Sequence, residues 1–405
     1  MLNLKESRIV LAERITQVQP SATLEITAQA RAMRAAGLDV CSFAAGEPDF
    51  DTPALIREAV KTALDQGKTR YGAAAGEMVL RQAIAQKLHQ DNGLSYQPEQ
   101  ILVTNGCKQA IYNLIQVLVQ PGEEVLIPTP YWVSYPEMVR LAGGIPVFIP
   151  TPRETGYKLT PAQLAQAITP RTRVLILNSP NNPTGVVYTR AELVALADEI
   201  LRHDLWVIAD EIYEKLVYDE AEHVSIAALG EEISARTLVC NGFAKAYAMT
   251  GWRVGYAAGA TAIINAAVTL QGHSTSNVCT FAQYGALAAL QGSQEEVHRM
   301  RDVFSQRRQV MARALQQMPG LVLAQPAGAF YIWVDIGATG LDSVSFCQQL
   351  LAQYQVALVP GRAFGDDQHV RLSYATDMTT IEKGMARLAA YVANLTPLSV
   401  GEGKR

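Results

Sequence analysis

The chain has 405 residues, 49% hydrophobic and 18% charged, with 34 Lys and Arg against 38 Asp and Glu for a formal net charge of -4. That is too long for one ordinary core and suits a large domain with a smaller companion, while the slightly acidic balance leaves no broad basic field for nucleic acid or anionic lipid. The five cysteines are scattered without a CxxC pair, which fits neither a disulfide framework nor a zinc knuckle and points to a reducing cytoplasm. No apolar run reaches the roughly 18 to 20 residues of a membrane span, and charges stand near the start where a signal peptide needs an apolar centre. A soluble, unprocessed cytoplasmic protein with small-molecule partners is expected, bound to neither nucleic acid nor membrane.

In chain order, 22–36 has helical spacing and ends at Gly37, and 39–44 reads as a strand. Short apolar runs bounded by Gly, Pro, Asn or Asp follow at 101–104, 124–127, 174–177, 205–209 and 237–240. Longer amphipathic stretches separate them, so they predict buried strands of a largely parallel sheet covered by helices. A charged helix at 295–317, a strand at 328–334, a helix at 343–353 and a strand at 356–359 predict a second, smaller α+β domain. Residues 1–48 are expected to pack with 296–405, leaving 49–295 as the large domain, and the last residues read as a frayed tail. The residues with chemical potential fall just after the carboxyl ends of the predicted strands, where open α/β sheets bind ligands.

Asn105-Gly-Cys-Lys-Gln109 joins the strand at 101–104 to a helix with Ala110, Ile111, Leu114, Ile115 and Leu118 on one side. Free amides at such a helix start form an anion nest. Asp210 closes the run 205–209, and Lys245 and Arg253 share the segment Asn241-Gly-Phe-Ala-Lys-Ala-Tyr-Ala-Met-Thr-Gly-Trp-Arg-Val-Gly-Tyr256. Arg371, in His369-Val-Arg-Leu-Ser-Tyr374, is the residue type that grips a carboxylate with two parallel hydrogen bonds. Taken singly, each has a plain explanation: a solvated lysine, a helix-capping aspartate, a surface salt bridge, a core tryptophan at Trp132.

Together with Asn-Asn-Pro-Thr-Gly at 181–185 and Ala-Asp-Glu-Ile-Tyr at 209–213, these residues resemble the class I aminotransferases, which use pyridoxal 5'-phosphate (PLP). Phe43-Ala-Ala-Gly-Glu-Pro-Asp-Phe-Asp-Thr-Pro53, Gly-Lys-Thr-Arg-Tyr-Gly at 67–72, Pro-Tyr-Trp-Val-Ser-Tyr-Pro-Glu-Met138 and Ala-Met-Thr-Gly-Trp-Arg253 narrow the likeness to the bacterial aspartate aminotransferases of subgroup Ib. The resemblance implies the fold type I PLP-transferase architecture, with a mostly parallel seven-stranded sheet in the large domain. It also implies a homodimer with shared active sites.

An aldehyde cofactor is held covalently by an amine, and Lys245 is the candidate; once released, that amine is placed to carry a proton within the bound intermediate. Asp210 supplies the anion that keeps the ring nitrogen protonated. The resemblance places Tyr213 and Asn182 on the ring's phenolic oxygen and Trp132 on its face. The amides of Gly106, Cys107 and Lys108 with Arg253 are expected to take the phosphate, joined by Tyr71 of the neighbouring subunit. Arg371 and the Gly46 amide are expected to hold the substrate's α-carboxylate, and Asn182 and Trp132 border the same space. The resemblance further implies that Lys108, Ser21 and Thr23 meet the distal carboxylate of aspartate or glutamate.

Ping-pong transfer between aspartate and 2-oxoglutarate is the leading expectation. Aspartate or glutamate transfer to prephenate, or a broader specificity, is the alternative, because relatives active on prephenate tend to carry lysine where this chain has Gln19. A second departure is Ala244, where many aminotransferases place Ser or Thr. A PLP lyase of the same fold needs no distal cation, so Lys108 counts against it. A PLP-binding transcription factor would carry a DNA-binding helix pair ahead of the matching region. GxSxG, HExxH, Walker A and GxGxxG are all missing, and the six histidines include no pair at metal-ligand spacing, so no metal is expected.

Overall fold

The computed structural model describes residues 11–20 and 22–395. Its strands, in chain order, are β1 (Cys41–Ser42), β2 (Ile101–Thr104), β3 (Glu124–Thr129), β4 (Ile145–Pro150), β5 (Thr172–Asn178), β6 (Trp206–Asp210), β7 (Thr237–Gly242) and β8 (Gly255–Ala258), followed by β9 (Val322–Leu323), β10 (Tyr331–Asp335), β11 (Val356–Ala357), β12 (Val359–Pro360) and β13 (His369–Ser373).

Seven strands form the large sheet in the order β2-β8-β7-β6-β5-β3-β4. Six of them run in the same direction, and β8 alone is reversed, antiparallel to both β2 and β7. Every residue of β2, β7 and β8 is buried, as expected of strands with helices on both faces. Helix Cys107–Leu118 lays Ala110, Ile111, Leu114 and Ile115 against the sheet with no exposed surface. Helix Arg190–Arg202 covers another part through Leu193, Leu196 and Ile200.

The smaller sheet, β12-β13-β10-β9, is antiparallel. Beside it the N-terminal β1 pairs in parallel with β11, matching Cys41 to Val356. The 22-residue helix Glu295–Gln316 carries two buried arginines, each bound to a carboxylate. Arg307 binds Asp49 at 2.7 and 2.9 Å, and Arg308 binds Asp219 at 2.8 and 2.7 Å.

The predicted strands at 101–104, 124–127, 174–177, 205–209 and 237–240 all form, with β3, β5 and β7 each extending past the predicted run. β4, β8, β9 and β13 were not foreseen. β4 is a half-exposed edge strand with Pro146 inside it and Pro150 at its end, and proline is tolerated at an edge because no ladder bond is lost there. β8, Gly-Tyr-Ala-Ala, has no β-branched residue to announce it.

Candidate active site

A cavity of about 840 Å³ opens where the ends of β5, β6 and β7 meet the start of helix Cys107–Leu118. The expectation that each site residue follows a strand's carboxyl end needs two corrections. Arg253 precedes β8; because that strand runs backwards, Gly255 pairs with both Thr104 and Gly242 and delivers Arg253 to the same edge. Arg371 lies within β13, opposite Trp333.

The anion nest rests on two glycines. Gly106 has a left-handed φ of +79°, and a Cβ there would stand 2.5 Å from the Arg253 guanidinium. A Cβ on Gly255 would collide with the Gly106–Cys107 peptide. The Gly106 N–H donates to the Thr104 carbonyl at 2.8 Å. The Cys107 and Lys108 amides, in the first turn of the helix, have no acceptor among the described residues. Arg253 is itself left-handed, φ 56°, a conformation that costs a non-glycine residue roughly 1 to 2 kcal/mol. Its guanidinium is held by the carbonyls of Thr250 at 2.8 Å and Asn105 at 3.2 Å.

Asp210 is buried, and burial raises its pKa. Three donors oppose that: the Tyr135 hydroxyl at 2.6 Å, the Ile212 N–H at 3.2 Å and the Cys107 thiol at 3.6 Å. No cation forms an ion pair with Asp210 among the described residues, so a protonated ring nitrogen is the partner its chemistry favours. The Tyr213 hydroxyl lies 2.9 Å from that of Tyr331.

The Lys245 ammonium donates to the Gly46 carbonyl and stands 5.7 and 5.6 Å from the ring centres of Tyr213 and Phe330. Burial, then the charge of Arg371, lowers its pKa to about 8, with Glu47 opposing. Arg371 is 2% exposed. It donates to the Asn182 side-chain oxygen at 3.0 Å and the Ala44 carbonyl at 2.9 Å, and lies 4.2 Å from the Tyr331 ring centre. Its Nε has no hydrogen-bond partner and its guanidinium no carboxylate within ion-pair distance among the described residues. A buried cation with an unused donor suits a carboxylate ligand.

Lys108 stands at the rim, its ammonium 4.9 Å from the Trp132 ring centre. Desolvation, then Arg253, lowers its pKa. Thr23 also lines the cavity; Ser21 lies outside the described residues. Tyr71 is 93% exposed and borders no part of this cavity. Tyr135, Tyr331 and Phe330 were not singled out from the sequence, since their roles depend on partners at 210, 213, 245 and 371. No helix of the described residues is long and apolar enough to cross a membrane.

Residues 39–388 match the family model for aminotransferase class I and II. An aspartate aminotransferase from Geobacillus stearothermophilus is 47% identical over 387 residues, covering 94% of this chain and 98% of that protein. An aspartate/prephenate aminotransferase from Cereibacter sphaeroides is 46% identical over 397 residues, covering 95% and 99%. The solved aspartate aminotransferase from Thermus thermophilus with maleate matches with a TM-score of 0.91 at 44% identity, covering 94% and 99%. With its mixed seven-stranded sheet and smaller antiparallel sheet, this chain belongs to the class I and II aminotransferases and is an enzyme of amino-group transfer.

Proposed function

We propose that this aminotransferase takes the amino group from aspartate or glutamate and passes it to an acidic 2-oxo acid, with prephenate an acceptor beside 2-oxoglutarate. The observation that carries the reading is the pair of cations across one cavity: Arg371, buried with an unused Nε, and Lys108 at the rim. One fits the α-carboxylate and the other a distal carboxylate. The relative solved with maleate, a dicarboxylate, supports an acidic ligand, and the relative named for both aspartate and prephenate supports the wider acceptor range. Gln19 had counted against prephenate. Its backbone N–H binds Glu137 at 3.1 Å, at the edge of a second cleft of about 380 Å³ that Lys108 and Arg253 also line. That cleft holds Glu137 beside the two cations, and support for prephenate comes from the relative named for it rather than from position 19.

Pyridoxal phosphate, when bound, supplies the carbonyl that takes up the amino group and a ring that accepts electrons. The residues present fit it. Lys245 is the amine to hold it and the base to move a proton at the substrate Cα. Asp210, which accepts hydrogen bonds from Tyr135, Ile212 and Cys107, would hold the proton at the ring nitrogen. Tyr213 and Asn182 would hydrogen-bond the phenolic oxygen, and Trp132 would cover the ring. The Cys107 and Lys108 amides with Arg253 would hold the phosphate, joined by the Gly106 amide once it leaves the Thr104 carbonyl, and the Gly46 amide would join Arg371 on the substrate's α-carboxylate. We propose a homodimer in which the exposed Tyr71 reaches the partner subunit's phosphate site, and domains at 49–295 and at 1–48 with 296–405.

The test offers aspartate, alanine, phenylalanine and cysteine separately, with 2-oxoglutarate or prephenate, to the PLP-loaded protein. Aspartate should be consumed fastest with either acceptor. Lys108→Ala should raise KM for aspartate about ten- to a hundredfold, the worth of a charged hydrogen bond, and should affect alanine little. Equal losses for both donors would confine Lys108 to the phosphate. Breakdown of cysteine without any acceptor would replace the reading with a lyase.

A further inference from the structure

The segment Asp210-Glu211-Ile212-Tyr213-Glu214 turns its residues to two sides. Asp210 and Tyr213 line the cavity. Glu211 and Glu214 instead enter a buried group of charges that the proposed reaction does not use. The Lys87 ammonium of helix Met78–Asn92 is paired with Glu214. It also donates to Asn92 Oδ1 at 2.7 Å, and Asn92 donates to Glu214 at 2.9 Å. Glu211 accepts the Ser225 hydroxyl at 2.6 Å and faces His223 Nε2 at 3.2 Å. The side chains of Lys87, Glu211, Glu214 and His223 are all at most 8% exposed.

Ligand atoms of Glu211, Glu214 and His223 lie within 4.8 Å of one another, the make-up of a metal site. Lys87 already supplies a cation there. Burial pushes the His223 pKa down, but Glu211 and Glu214 outweigh it and hold the imidazole above its usual value, with Lys87 opposing. Asp91 also stands 3.8 Å from the Lys87 ammonium, and Glu211 Oε2 and both His223 ring nitrogens make no well-formed hydrogen bond among the described residues, so His223 and Glu211 meet as a close charge contact.

We propose that this buried charge network positions the cofactor-contacting turn, with Glu211 and Glu214 as positioning residues that support Asp210 and Tyr213 from behind. On the cavity side Asp210 pairs in the sheet with Asn178 and Cys240, and the Tyr213 carbonyl accepts the Leu216 N–H at 2.8 Å. Within the turn the Glu211 N–H reaches the Cys240 carbonyl at 2.9 Å and the Glu214 N–H returns to the Glu211 carbonyl at 2.9 Å, so the Glu211 and Glu214 side chains add restraint from the opposite side. Losing a back-face carboxylate frees the turn to shift, and Tyr213 and Asp210 move with it. The inference rests on the PLP reading of the cavity.

The test uses PLP-loaded Glu211→Gln, with Ser225→Ala as a gentler variant that removes only one bond to Glu211. The readouts are the pH titration of the bound cofactor's absorbance, PLP affinity, kcat and KM for aspartate, and Tm. Glu211→Gln should move the titration midpoint, weaken PLP, and lower kcat by about ten- to a hundredfold, as a small misplacement does, leaving KM nearly unchanged. Ser225→Ala should shift the same quantities in the same direction, by less. Folded variants with a lower Tm but wild-type titration, PLP affinity and kcat would overturn the proposal and leave the network a support of the fold alone. Wild-type protein without cofactor absorbance would overturn the PLP reading, and the proposal with it.

Discussion

Lys245 shows how surroundings change an ordinary side chain. With its pKa lowered to about 8, roughly one amine in ten is unprotonated at pH 7, against roughly one in 2,500 for a free lysine. Uptake of PLP by the apoprotein should therefore accelerate with pH and level off above about 8, as measured by stopped-flow absorbance. A rate still climbing steeply at pH 10 would contradict the shift. The sign for stability follows: between about 8 and the ordinary lysine value near 10.4 the unfolded chain binds more protons, so the apoprotein gains stability as pH rises through that window. Arg371 makes its case through geometry. Arg371→Ala should lower kcat/KM for aspartate by roughly 2 to 5 kcal/mol in transition-state terms, and Arg371→Lys should recover only part, since an ammonium cannot copy the planar fork. The lysine and arginine were legible because their neighbours in sequence form distinctive motifs. Tyr135, 75 residues from Asp210, was not, because its role exists only after folding.

Among elements, β2 with its following helix and the antiparallel β8 together build the cradle of unpaired amides proposed for the phosphate. The sequence announced β2 and the helix through an apolar run, a glycine and a spaced apolar face. It hid β8, whose small residues look like loop. Those small residues serve a purpose, since Gly255 lets β8 pass against the Gly106–Cys107 peptide. Gly255→Ala should push the helix start away from Arg253 and weaken PLP binding about tenfold or more by equilibrium titration, a cost of roughly 1.4 kcal/mol. Unchanged affinity would show that the cradle tolerates the shift. β13 was hidden for another reason. His369 and Arg371 are buried in it, so its polarity reads as surface until partners cover those side chains.

Across the molecule, helix Glu295–Gln316 ties parts of the chain that lie far apart in sequence. Arg307 grips Asp49, three residues beyond Gly46, whose carbonyl receives Lys245. Losing that fork should cost about 1.5 to 3 kcal/mol, the range for a hydrogen-bonded charge, and should loosen the Gly46 loop. Arg307→Met is therefore expected to lower Tm and raise KM for aspartate together. A lower Tm with KM unchanged would limit the pair to stability. The pairing of β1 with β11 was foreseen only as packing between the two ends of the chain, because a sequence gives no register between strands so distant.

The most direct measurement is borohydride reduction of the PLP-loaded protein, followed by digestion and mass spectrometry of the labelled peptide. The pyridoxyl group should be found on Lys245 and should be absent from Lys245→Ala, which should also show no amino transfer from aspartate. A label on Lys108 or any other lysine, or normal turnover by Lys245→Ala, would contradict the assignment of the site.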